Sequence, residues 1–510
     1  MRAFMKLFDI AERRSTVRRT VRAIAAALSA ILFLAVPSAA YSPLPPSDTI
    51  AAMPKYDGRE YGIVTPVRDQ GSTNLCWAYS SIAAAETSIL RSGIAETAPA
   101  LNPLAAAYRT VRRGEDPLGN TSGDWQSVDF TVQTGSALKI AKIFSMWWGP
   151  TTDTRADADP FADPAYRFEN AFYIPENKDD PDAGIAAIKS AIAEYGAVTF
   201  QYNNLRETQY YNPKNERGAS SSPHACTLIG WDDTIPAEKF VPDGASRDGG
   251  WLVKNSYSSC EYFWLSYDNT STNAYAFTFA PADKYDFNYY YDGNMDDFAL
   301  RSDKVCANVY EAAGATAGKF EYLRAVNIAV SGENVRVEAE IYKNLDYPFG
   351  GQSNVPVSGG VSAAKIVKEF EHGGYVTLET EEPVRLDPGE WFSVIVRVSN
   401  PTGDARIVTA YKGTKNLSYV PSGDNWNKLG NFVARIKAYT TLEEETKIVG
   451  DANGDGIVDS RDAAQIYRRL AGWDVTLDSE SADVNGDGEV NSKDAAMISR
   501  KVAGWSENFG

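Results

Sequence analysis

From Val335 to Ile341 apolar and charged residues alternate: Val335, Val337, Ala339 and Ile341 against Arg336, Glu338 and Glu340. A period of two marks a half-buried strand. Phe392, Val394, Val396, Val398 and Phe432, Ala434, Ile436, Ala438 repeat the pattern, with turns rich in Gly, Asn, Asp and Pro between them. Several such strands without a strong helix predict an all-β sandwich over residues 285–440. The chain before it reads differently. Trp77 to Leu90 is rich in Ala and other helix formers, and Gly93 is placed to end that helix. The runs His224–Trp231, Trp251–Lys254 and Tyr262–Tyr267 are short and apolar or aromatic, and read as strands. A helical half followed by a stranded half predicts an α+β domain over residues 54–283.

The ends of the chain differ again. Arg13, Arg14, Arg18, Arg19 and Arg22 precede an apolar run from Ala23 to Val36, and Ser38-Ala39-Ala40 supplies the small residues of a cleavage site. Residues 1–40 are therefore expected to be a signal peptide, because the run is shorter than the ~20 residues of a spanning helix. Export without a later membrane segment follows from that expectation. Residues 41–53 are a Pro-rich linker, and residues 441–447, with Glu443-Glu444-Glu445, are a second one. At 510 residues the chain exceeds a single core. Its net charge of −17 argues against nucleic-acid binding. Four cysteines are too few for a disulfide scaffold. Cys226 reads as a buried thiol, and the pairing of Cys226, Cys260 and Cys306 stays open.

Candidate chemistry gathers on a few residues. Cys76 opens the predicted helix, where the dipole favours a thiolate, the reactive form of sulfur. His224, one of only two histidines, can take the thiol proton and return it to a leaving amine. Asn255 can accept the imidazole N–H and orient the ring. Gln70, six residues before Cys76, can present its amide with the Cys76 N–H to a developing oxyanion. Each residue alone is unremarkable. Their order, with His and Asn about 150 and 180 residues after Cys, points to thiol-dependent acyl transfer.

Residues 54–268 resemble the papain family of cysteine peptidases. The likeness rests on Val64-Thr65-Pro66-Val67-Arg68-Asp69-Gln70-Gly71, on Cys76-Trp77, on His224 with Trp231-Asp232-Asp233, on Asn255-Ser256 and on Tyr262-Phe263-Trp264-Leu265-Ser266-Tyr267. It implies Cys76 as nucleophile, His224 as base, Asn255 as orienting residue and Gln70 as oxyanion donor. Tyr257 takes the place of a Trp that shields the Asn–His bond in the family. Thr73 replaces a cysteine that many members bridge, and the loop Ser258-Ser259-Cys260-Glu261 is shortened. No stretch accommodates the family's long inhibitory propeptide, so zymogen control of that kind is not expected. Residues 119–125 are a candidate wall of the non-primed subsites. The middle region resembles the lectin-like domain appended to some bacterial members, with Tyr289-Tyr290-Tyr291-Asp292-Gly293-Asn294 near its start, which makes carbohydrate a candidate ligand.

The last sixty-odd residues carry a duplication. Asp451-Ala452-Asn453-Gly454-Asp455-Gly456 returns 32 residues later as Asp483-Val484-Asn485-Gly486-Asp487-Gly488, and Gly472-Trp473 returns as Gly504-Trp505. Asp451, Asn453, Asp455, Asp459 and Asp462 stand at positions 1, 3, 5, 9 and 12 of a calcium loop; Asp483, Asn485, Asp487, Asn491 and Asp494 do the same. The backbone carbonyls of Ile457 and Glu489 would fill position 7. Two structural Ca²⁺ ions are expected, and no cofactor for catalysis. The helices expected after the loops are Ala463–Ala471 and Ala495–Ala503, with no full helix before either loop. Residues 448–510 resemble a type I dockerin, which implies a cohesin domain as partner. The resemblance places Ser460-Arg461 and Ser492-Lys493, with Arg468 and Arg500, at that interface. The combined reading is a secreted cysteine endopeptidase acting on protein or peptide and held in an extracellular or cell-surface cohesin assembly. A catalytically silent scaffold-associated binding protein is the alternative.

Overall fold

The computed structural model describes residues 41–120, 128–162, 164–204, 208–213, 222–269, 274–292, 302–314, 319–351, 354–411, 417–444, 448–454, 457–505 and 509. The expected signal peptide, Asp455 and most of the 119–125 stretch lie outside them. No helix among the described residues is long and apolar enough to cross a membrane. The chain divides into two compact units: Met1–Ala315 with Glu321–Leu442, and Thr316–Phe320 with Glu443–Gly510.

The first unit is built around the helix Cys76–Arg91, nearly all of it buried. It ends as expected: Gly93 adopts φ +73° and its N–H reaches the Leu90 carbonyl. A helix buried all round needs partners for its polar side chains. Ser80 Oγ donates to the Cys226 carbonyl on one side and Ser88 Oγ to the Phe277 carbonyl on the other. Those carbonyls belong to two different sheets. Among the described residues the first has six strands, in the order Lys55–Asp57, Ser222–Asp232, Gly250–Lys254, Tyr262–Ser266 and Tyr210–Tyr211, with Val198–Asn204 also paired to Ser222–Asp232. The second has thirteen strands among the described residues and makes up the large β region.

Two strands that precede residue 283, Tyr166–Ile174 and Ala274–Pro281, join this second sheet. Tyr166–Ile174 pairs with Val361–Leu386, with Phe172 opposite Gly374 and Ala171 opposite Tyr375. Gly374 is required at the seam: its φ is +132°, and a Cβ would stand 2.0 Å from the Ala171 carbonyl oxygen. Asn327 Nδ2 donates to the Glu169 carbonyl at 3.0 Å, and the Thr377 N–H to Asn170 Oδ1 at 2.7 Å. One apolar cluster unites Trp147, Phe277 and Tyr285 with Ala325, Tyr375 and Tyr439. The helical segment and the β region therefore share a core.

The alternating segment Val335–Ile341 lies within the strand Lys319–Lys343, and Phe392–Val398 within Trp391–Ser399. The third alternating segment is interrupted: it forms Phe432–Ala434 and Ile436–Glu444, parted at Arg435. Arg435 and Lys437, both buried, reach the buried Asp292 carboxylate at 3.3 and 3.0 Å. Burial opposes ionisation of Asp292, but these two cations outweigh it and hold the carboxyl below its ordinary value. Tyr289, Tyr290 and Tyr291 are likewise buried, so the Tyr run is core rather than surface. None of the four cysteines is in a disulfide.

In the second unit the helices are Ser460–Leu470 and Ser492–Val502, each starting three residues before the expected one. The reason is capping. Asp459 and Asn491 are N-caps, and Asp462 and Asp494 return to the N-cap amides, closing a capping box at each helix. A short helix, Ser479–Ala482, also precedes the second loop. The core repeats with the sequence: Ala452, Ala463 and Ile466 pack with Val484, Ala495 and Ile498.

Candidate active site

Cys76 is the first residue of its helix and is partly exposed, as a nucleophile at a helix N-terminus must be. His224 lies on the strand Ser222–Asp232, and Asn255 just beyond Gly250–Lys254, the strand beside it. The two meet: His224 Nε2 is 2.9 Å from Asn255 Oδ1, with both side chains buried. Tyr257 stacks on the imidazole, ring centroids 5.4 Å apart at 21°, and Tyr202 meets it edge-on at 5.9 Å. An Asn oxygen only accepts, so Nε2 carries a proton there and Nδ1 remains for the nucleophile.

The electrostatics follow from this packing. Burial opposes a Cys76 thiolate, yet the hydrogen bond and charge of His224, with the Ala225 and Trp77 amides, outweigh it and hold the thiol below its ordinary value. Burial also opposes the His224 imidazolium. The hydrogen bonds of Cys226 and Cys76, and the negative charge either sulfur carries when it is a thiolate, overcome that penalty and push His224 up to about 12. Each shift favours the charged form of its group.

Gln70 is buried and anchored by Ser256 on two sides. The Gln70 N–H donates to the Ser256 carbonyl at 2.9 Å, and Ser256 Oγ donates to Gln70 Oε1 at 2.6 Å. Gln70 Nε2 donates to the Thr73 carbonyl at 2.7 Å, which engages one of its two protons. The loop that carries Gln70 is tied down by Glu86, buried on the nucleophile helix. Glu86 accepts from Arg68 Nη2 at 2.7 Å and Thr65 Oγ1 at 2.6 Å. Lys254, beside Asn255, donates to Thr65 Oγ1 at 2.8 Å, and burial draws its ammonium down to about 8. Trp77 lies flat beneath Gly135, where an added Cβ would come within 2.6 Å of the indole. Asn120, at the edge of the candidate subsite stretch, is turned inward to the Asn288 carbonyl.

The structure thus brings His224 and Asn255 together, with the imidazole near enough to Cys76 to lower its thiol, and Gln70 joined to the group through Ser256. Sequence reasoning missed Ser256 and the network around Glu86. Ser256 was legible as the neighbour of Asn255, whereas Glu86 carried no signal, being one acidic residue in a helix.

In the second unit, Asp494 is buried and accepts from the N–H groups of Val484 and Asn491 and from Asn485 Nδ2. Asp483 accepts from Gly488 and Asp487 N–H, and Asp462 from Asn453 and Asp459 N–H. The donor set is oxygen only, which suits a hard divalent cation. Among the described residues the acidic oxygens face backbone amides, and no three His, Cys, Asp or Glu side chains form a metal-holding group. Ser460, Arg461, Arg468, Ser492, Lys493 and Arg500 are all exposed. So are Tyr467, Leu470, Trp473, Val502 and Trp505, an apolar set the residue-level reading did not assign.

The family model described as a dockerin type I domain matches residues 449–503, and the one described as a lectin-like domain matches residues 288–440. Among solved structures, the clostridial cysteine protease Cwp84 after propeptide cleavage is 19% identical with a TM-score of 0.58, covering 76% of this chain and 99% of that one. A structure of the cysteine protease and lectin-like domains of Cwp84, a surface-layer-associated protein of Clostridium difficile, is also 19% identical with a TM-score of 0.58, covering 76% of this chain and 89% of that one. At this identity the likeness is one of fold.

Proposed function

From a chain that carries a dockerin type I domain, a lectin-like domain and a papain-like fold, we propose a secreted cysteine endopeptidase that docks to a cohesin-bearing scaffold. The observation that carries the reading is the buried 2.9 Å His224–Asn255 contact beside Cys76 at the helix start. In this reading the Cys76 thiolate attacks the peptide carbonyl carbon while the Cys76 N–H and Gln70 face the oxyanion. The C–N bond breaks as His224 gives its proton to the departing amine, leaving a thioester on sulfur. A water then loses a proton to His224, attacks that carbonyl and releases the acid and the Cys76 thiolate, restoring the starting thiolate and protonated His224. Asn255 keeps the imidazole in the plane these transfers need.

The domain limits proposed are 54–283 for the peptidase, 285–440 for the lectin-like region and 448–510 for the dockerin. Calcium would be held at Asp451, Asn453, Asp455, Asp459 and Asp462 and at Asp483, Asn485, Asp487, Asn491 and Asp494, one ion per loop. It would supply the charge that lets these carboxylates crowd together. The cohesin-facing surface would use Ser460, Arg461, Arg468, Ser492, Lys493 and Arg500. If the β region takes carbohydrate, the exposed rings of Tyr347 and Phe349 beside Trp391 offer the surface that the buried Tyr289–Tyr291 run does not. The Gln70 amide turned to Thr73 favours the alternative of a silent binding protein.

Cleavage of an unfolded protein under reducing conditions decides between them. Activity in the wild type, lost by at least about a thousandfold in Cys76→Ala, is expected. Inertness of both folded, calcium-loaded chains would overturn the peptidase reading.

A further inference from the structure

Cys226 follows His224 by two residues on the strand Ser222–Asp232, so both side chains leave the same face. Its thiol is 1% exposed and lies 3.4 Å from Asn255 Oδ1. That single oxygen collects three donors: His224 Nε2 at 2.9 Å, the Ser256 N–H at 2.8 Å and the Cys226 thiol. The other end of the same amide is unlike it. Asn255 Nδ2 is buried without a hydrogen-bond partner and borders a small cavity also lined by Cys226, Ala83 and Thr227. A flip of the amide would set the NH₂ group against three donors and lose every bond the oxygen makes. Orientation of the amide is what assigns His224 an Nε2 proton and leaves Nδ1 for sulfur.

We infer that Cys226 is a positioning residue: its thiol donates to Asn255 Oδ1 and, with the Ser256 N–H, locks the amide with its oxygen toward His224. The inference rests on the reading of Cys76, His224 and Asn255 as one thiol site. It gives a function to a buried sulfur that packing alone would leave exchangeable for any small apolar side chain. Removal of the donor loosens the amide, so the imidazolium loses part of its acceptor and the Cys76 thiolate part of its counter-ion.

The test compares Cys226→Val with Cys226→Thr in the full calcium-loaded chain. The two side chains share a shape and differ by one hydroxyl donor. Alkylation of Cys76 by iodoacetate is followed from acid to alkaline pH and located by mass spectrometry. The anionic reagent is drawn by the imidazolium, so its rate reports thiolate and imidazolium together. In Cys226→Val the bell should narrow from both sides, its acid limb rising and its alkaline limb falling. The maximum should drop about three- to tenfold, the worth of one modest hydrogen bond. Cys226→Thr should keep the wild-type width, and in Asn255→Ala the Val substitution should change nothing further. A Val profile that matches the wild type, with Thr the less stable variant on thermal unfolding, would overturn the inference and mark Cys226 as filling only. Alkylation needs no turnover. A chain that fails to cleave peptides yet shows the narrowed bell would fail the peptidase proposal and keep this one.

Discussion

The Cys76 site and the acidic loops of the C-terminal unit hold polar groups by opposite means. Around Cys76 each group is supplied by a different segment. Gln70 comes from a loop, Cys76 from a helix start, His224 from a strand interior and Asn255 from the end of the neighbouring strand. Their alignment depends on a core that spans two sheets. In the loops, by contrast, Asp494 and Asp483 take N–H groups from residues no more than ten positions away, and the same Asp494 closes the cap of the next helix. Such a site is written in contiguous chain and needs only a small core of Ala, Val and Ile. A locally encoded site is sensitive to its ion, whereas one assembled over distance is sensitive to packing.

Removal of calcium should break the comparison most sharply. Chelation is expected to abolish the cooperative transition of residues 448–510, read by circular dichroism or hydrogen exchange, because the loop carboxylates then repel one another. Peptide cleavage should change less than about twofold, and a parallel loss of activity would contradict the independence of the two sites. Gln70→Ala acts on the other side. It should lower kcat/KM by about a hundred- to a thousandfold while Cys76 remains open to alkylation, as removal of an oxyanion donor requires.

Ile498→Ala should cost the C-terminal unit about 2–4 kcal/mol in denaturant unfolding, since that side chain is fully buried in a core of few residues. The same truncation should leave peptide cleavage unmoved. The pH profile then sharpens the picture of the distant site. Because the Cys76 thiol is held below its ordinary value, alkylation should rise at a pH below the usual thiol range. It should persist until His224, pushed up to about 12, gives up its proton. A profile that rises only in the ordinary thiol range would show that the charged forms are not favoured.

How far each region could be read from its residues follows from the same contrast. The helix Cys76–Arg91 and its end at Gly93 were legible because Ala-rich composition and a C-terminal Gly act locally. The duplicated loops were legible from spacing, although their helices begin three residues early because Asp459 and Asn491 double as caps. The break at Arg435 was not legible. It lies inside a continuous alternating pattern, at the point where the chain stops pairing with Arg406–Tyr411 and begins pairing with Lys319–Lys343 and Phe287–Tyr289.

The sequence by itself determined which residues offer a thiol, an imidazole and an amide, the period-two strands and the oxygen-ligand spacing of the C-terminal repeat, because residue type and short spacing carry those directly. Tertiary structure alone decided that Ser256 joins Gln70 to the site and that Glu86 ties down its loop. It also decided that Cys226 shares the Asn255 oxygen with His224, and that strands before residue 283 complete the sheet of the β region. These are contacts between distant segments, settled by which surfaces the core brings together and which buried polar atoms then require a partner.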